Sequence, residues 1–164
     1  MIKNVATILI ILFLFAGASP VMSQQDSTEI KSEKTNPADG FRFLGKRIKE
    51  KIKLFIVAPF PKQKESVYED LVQVRLAELK YVVEKPDPSN FEKATIRYST
   101  TVGQWVEYIN KKNLNDQKQL AVETLSSHKP ILQKLMDTYD YTTAEWRFVK
   151  HDLDYLDIYI SELK

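Results

Sequence analysis

The chain has 164 residues, a formal net charge of +2 and no cysteine. That length holds about one domain and excludes a multidomain machine. A charge so close to zero provides no overall field to recruit nucleic acid, and the missing cysteines remove disulfides, thiolate metal sites, thiol nucleophiles and a lipid-modified N-terminus.

Lys3 and the α-amino group precede an almost purely apolar run, Val5 to Ala18, the arrangement of a secretory signal peptide. The run stops at Ser19-Pro20, short of the ~20 apolar residues that a comfortable transmembrane helix requires. A signal peptide over residues 1–23 and an extracytoplasmic location, whether secreted, periplasmic or at the cell surface, are therefore expected. From Gln24 to Gly40 Ile30 is the one sizeable apolar residue. Such a segment cannot offset its ordering entropy by burial, which predicts a disordered linker over 24–40.

The folded domain is expected over 41–164. In the first helix, Phe41, Leu44, Ile48, Ile52 and Phe55 recur every three or four positions, with lysines and arginines on both flanks; Pro59 and Pro61 end it. A second helix runs from about Lys62 to Glu84, its apolar side formed by Tyr68, Leu71, Val72, Leu76, Leu79, Val82 and Val83. Ser89 and Glu92 have the spacing of a capping box at the start of a third. Phe91, Thr95, Tyr98, Val102, Trp105 and Ile109 then step by fours and threes as a bundle seam. Gly103 within that seam suggests a close crossing.

A turn near Asn113 to Asp116 leads to a fourth helix reaching about Tyr139, which Pro130 must kink or split. Thr142 and Glu145 repeat the capping-box spacing before the last seam: Trp146, Val149, Leu153, Leu156, Ile160 and Leu163. No period-two alternation persists anywhere, so the expected class is all-α, a four- or five-helix bundle. Basic residues dominate from Phe41 to Lys64 and acidic ones from Asp137 onward, which predicts attraction between the first and last helices.

Three features could carry function. The first helix joins an apolar stripe to Arg42, Lys46, Arg47, Lys49, Lys51 and Lys53, the pattern of a helix lying on an anionic membrane surface and equally of a bundle helix with lysines on its wet side. On the last helix His151 and Asp154 lie three apart, with Asp157 one turn further. One imidazole and two carboxylates fall short of a metal or acid–base set, and a solvated acidic face is the simpler reading. Tyr155 and Tyr159 lie off the last seam, as a second core face or as part of a glycan- or peptide-binding surface. His128 is expected to make an interhelix polar contact.

No phosphate loop, nucleophile elbow or zinc-finger spacing is present. No cofactor is therefore expected, and the chain reads as a non-enzymatic binding or structural module of the cell envelope. Its expected partner is another envelope protein or itself, with an anionic membrane surface as the alternative.

Residues 41–109 resemble a family of exported helical domains, domain of unknown function 5667. The residues concerned are Gly45 to Phe55, the joint at Pro59, Pro61 and Lys62, and Arg75-Leu76-Ala77-Glu78 on the following helix. The family has an acidic pair ahead of that arginine where this chain has Gln73-Val74. The resemblance implies an exported helical domain and supplies no catalytic residues. Arg75 and Glu78 themselves are expected to form a helix-surface pair.

Overall fold

The computed structural model describes Pro37 and residues 40–164; the expected signal peptide, and the expected linker apart from Pro37 and Gly40, lie outside the described residues. Five helices follow one another: α1 (Gly40–Ile56), α2 (Pro61–Glu84), α3 (Pro88–Lys111), α4 (Asn115–Met136) and α5 (Ala144–Leu163). No strand occurs among the described residues, as the missing period-two pattern requires. Gly40, assigned to the linker by composition, instead opens α1 with φ +31°.

Prolines set two of the starts. Pro61 and Pro88 occupy the first turns of α2 and α3, where an amide hydrogen would have no intrahelical partner and the fixed φ already suits the helix. The capping box expected at Ser89 does not form. Asp87 is the N-cap of α3, and its carboxylate accepts from Asn90 Nδ2 at 2.8 Å instead. At α5 the cap is Thr143, one residue later than expected, its hydroxyl accepting from Trp146 N at 3.2 Å. Between α3 and α4 the backbone reverses through Asn113 at φ 52°, a left-handed conformation that asparagine tolerates better than most residues.

Pro130 lies inside α4 without splitting it. Proline denies a donor to the carbonyl four residues earlier, but Pro130 and Ser126 are both exposed, so that carbonyl lies on the solvated side.

α3 is the hub. It packs along α2 and α5 and touches α4, while α4 and α5 pair with each other. The six seam residues expected on it, from Phe91 to Ile109, are all buried, Tyr98 and Trp105 completely. All the seam positions from Val149 to Leu163 on α5 are buried, with Trp146 half-buried at its start. The close crossing expected at Gly103 is made by a side chain: a Cβ there would stand 2.6 Å from the Tyr159 hydroxyl.

α1 contributes no buried residue; its backbone runs along α2, and it reaches α3 through the Phe43 ring under Arg97. The expected attraction between the first and last helices is therefore absent. The basic charge of α1 is met instead by acidic residues of α2, at Lys46–Glu78 and Lys53–Asp70.

Candidate functional site

A helix turns by about 100° per residue, which places Lys46, Glu50 and Lys53 on one side of α1. That side faces the bundle. Lys46 Nζ pairs with Glu78 at 3.0 Å, Glu50 pairs with Arg75, and Lys53 pairs with Asp70 at 3.1 Å. Phe43, on the same side, lies under the Arg97 guanidinium at 5.0 Å. The apolar stripe is on the opposite side, pointing into solvent: Phe41 is 91% exposed, Ile48 50%, Ile52 51% and Phe55 81%. α1 is thus docked through its charges, with its hydrophobic face outward.

The stripe keeps its cationic flanks. Arg42, Lys49 and Lys51 are exposed and enter no ion pair among the described residues. Arg47 reaches Glu50 at 3.7 Å along the helix. Of the six basic residues singled out in α1, Lys46 and Lys53 are therefore bundle-facing pairing residues, and Arg42, Lys49 and Lys51 border the outward face.

Beneath α1 the sequence reading of Arg75 and Glu78 fails. They are not a surface pair: the side chains are 4% and 0% exposed. Arg75 Nη1 donates to Glu78 Oε1 at 2.8 Å, and its guanidinium also forks onto Glu50. Arg97 of α3 brings Nε to 3.4 Å from Glu78 Oε2. That contact is an ion pair without hydrogen-bond alignment, so Glu78 Oε2 and Arg97 Nη2 remain buried without a hydrogen bond. Burial pushes the Arg97 guanidinium below its ordinary value, while Glu78 pulls it back up. An ionised carboxylate out of water costs several kcal/mol unless paired. Here three cations from three helices, Lys46, Arg75 and Arg97, provide the pairing.

Two further buried carboxyls lie deeper in the bundle. Glu65 of α2 accepts from Trp105 Nε1 at 2.8 Å. Burial raises its affinity for a proton, and the indole donor opposes that. Asp152 of α5 is 3% exposed, its Oδ2 has no hydrogen-bond partner, and burial pushes its carboxyl up to about 8. The Ser99 hydroxyl beside it counters that shift, but the same hydroxyl also lies 3.1 Å from Thr95 O, and its single proton serves one acceptor at a time. Tyr98, pushed up first by burial and then by the Asp152 charge, shares a 3.0 Å hydrogen bond with His128 Nδ1. His128 makes the expected interhelix contact, and burial holds it down at about 4.

The other residues singled out from sequence are not brought together. His151, Asp154 and Asp157 are all exposed; Asp154 pairs with Lys150, and Asp157 with Lys129 at 2.5 Å. No group of three or more His, Cys, Asp or Glu able to hold a metal ion exists among the described residues. The second core face expected of Tyr155 and Tyr159 is half realised, since Tyr159 packs against the core and Tyr155 is 46% exposed.

Two predictions follow from these buried carboxyls. Glu78→Ala leaves Arg97 without a carboxylate and Arg75 with Glu50 alone, and is expected to cost about 3–5 kcal/mol, read by urea denaturation; a loss within ~1 kcal/mol would contradict the pairing. Asp152 is neutral in the fold at neutral pH but ionised in the unfolded chain. Its contribution is thus fully present below pH 3.8 and is lost as pH rises to about 8. His128 has the opposite slope, weakening the fold as pH falls from 6.5 to about 4. Asp152→Asn is expected to stabilise the protein relative to wild type by about 1–3 kcal/mol more at pH 8 than at pH 4, measured by thermal unfolding across that range. An advantage independent of pH would contradict the burial of an unpaired carboxyl.

Comparison with known proteins finds no match: no family model, no curated protein and no solved structure aligns with this chain. The likeness of residues 41–109 to domain of unknown function 5667 thus remains a sequence resemblance, and no residue role is taken from it.

Proposed function

We propose that this chain is an exported, non-enzymatic helical module of the cell envelope that meets an anionic membrane surface through α1. The observation that carries this reading is the outward stripe of Phe41, Leu44, Ile48, Ile52 and Phe55, all half or more exposed on a helix that buries no residue against the bundle. No described helix is long and apolar enough to cross a membrane, and the stripe suits a helix lying in the headgroup boundary. Moving five such side chains from water into the acyl boundary is favourable by roughly 1 kcal/mol each. Arg42, Lys49 and Lys51 each add about 1 kcal/mol against an anionic leaflet. The apolar run at residues 5–18, with its preceding lysine, supports delivery across a membrane. Arg75 and Glu78, though buried and charged, support no catalysis, because their charged groups are spent on one another and on α1.

The reading is tested by sedimenting protein lacking residues 1–23 with vesicles of anionic or neutral phospholipid. Wild type is expected to bind the anionic vesicles in low salt and leave them in high salt. Lys49→Gln with Lys51→Gln is expected to weaken binding about 30-fold, two cations at ~1 kcal/mol each. Equal binding to neutral vesicles would remove the electrostatic part of the reading. Lipid-independent self-association, or crosslinking through α1 to another envelope protein, would replace the membrane with a protein partner.

A further inference from the structure

Between α3 and α5 a cleft of about 380 Å³ opens to solvent, with Thr95 and Ser99 on one wall and His151, Asp152, Tyr155 and Tyr159 on the other. Its volume is that of a small-ligand site. Thr95 and Asp152 are its buried lining residues, and at its mouth the Tyr155 and Tyr159 rings are stacked, with centroids 6.0 Å apart and planes 18° apart. No lysine or arginine lines it. A carboxyl is therefore held away from water, with one oxygen lacking any hydrogen-bond donor, in a cleft that offers aromatic faces and hydroxyls but no cation. A buried carboxyl with an unsatisfied oxygen and no counter-charge is costly, and a ligand that relieves the cost must bring positive charge and donors.

We propose that this cleft binds a small organic ammonium, whose charge pairs with the Asp152 carboxylate while its apolar part lies against Tyr155 and Tyr159. An ammonium supplies up to three donors and is attracted to the faces of tyrosine rings. A sugar would use the same rings and hydroxyls but would leave the carboxyl without a counter-charge. A metal ion would find one buried carboxyl where it needs several ligands, in keeping with the absence of any three-residue metal set among the described residues. The site is separate from α1, which does not line it.

Binding has a proton signature. The unliganded carboxyl is protonated near neutral pH because burial raises it to about 8, and pairing with an ammonium ionises it. Association thus releases a proton and tightens about tenfold per pH unit between pH 6 and 7, with the slope flattening as pH approaches 8. The titratable groups around Asp152 are Tyr98 on α3, His128 of α4 hydrogen-bonded to it, and His151, Tyr155 and Tyr159 on α5 itself. Burial keeps Tyr98 protonated and His128 uncharged throughout that range, and His151 is the remaining histidine that lines the cleft.

Benzylammonium is the probe and benzyl alcohol its neutral counterpart. Calorimetry on the full chain at pH 7.5 is expected to give saturable 1:1 binding of benzylammonium with a Kd on the order of 1 mM and little binding of the alcohol. In buffers of different ionisation enthalpy it should also show release of roughly three-quarters of a proton, the fraction of Asp152 protonated at that pH. Asp152→Asn is expected to lose the binding and the proton release while remaining folded. His151→Gln should keep both, including the pH slope. Absence of saturable binding below about 10 mM, equal binding of benzyl alcohol, or unchanged binding by Asp152→Asn would each overturn the proposal.

Discussion

The arrangement of the molecule depends on one carboxylate that water cannot reach. Glu78 is completely buried, and a charge in that position is tolerable only where cations surround it. α2 supplies Arg75, α3 supplies Arg97, and the third cation, Lys46, comes from α1. Arg75 in turn needs a second acceptor, which is Glu50 of α1. Once the polar side of α1 is committed to this cluster, helix geometry puts Phe41, Leu44, Ile48, Ile52 and Phe55 on the far side. The exposed stripe is a consequence of the buried charge.

This divides the chain into two parts with different physics. α2 to α5 enclose an apolar interior whose largest fully buried side chains are Trp105 and Tyr98, and their association is driven by removing that surface from water. α1 adds nothing to that interior. Ion pairs and the Phe43–Arg97 contact hold it, interactions that weaken with salt where they are exposed, as at Lys53 and Asp70. An element attached by charge and carrying unspent apolar surface is suited to meeting something outside the bundle.

Most of the helical architecture was legible in the sequence because helical seams are periodic. The α3 and α5 seams were read correctly, since large apolar residues at alternating spacings of three and four have one way to be buried. Direction was not legible. The spacing in α1 identifies a stripe but does not say which side docks, and the polar side wins because Glu50 and Lys46 meet groups on α2 that apolar residues could not satisfy. Arg75 and Glu78 were misread because an i,i+3 pair is ordinary on helix surfaces. A helical projection held the missed signal, since Arg75 falls between Leu79 and Val82, within the apolar arc. Asp152 was missed in the same way. It borders the α5 seam beside Leu163, whereas His151, Asp154 and Asp157 drew attention by their spacing and are exposed. Capping positions shifted by a residue or two because proline, at Pro88, and the Thr143 hydroxyl outcompeted the expected boxes.

The inverted docking of α1 is tested most directly by single cysteines introduced into this cysteine-free chain and labelled with a thiol reagent. Cysteines at Leu44, Ile48 and Ile52 are expected to react at rates close to that of an unstructured peptide, and one replacing the buried Leu76 to be strongly protected. Protection at all three α1 positions in the absence of lipid would mean that the stripe packs inward. The charge-mediated docking of α1 over Glu78 would then be wrong.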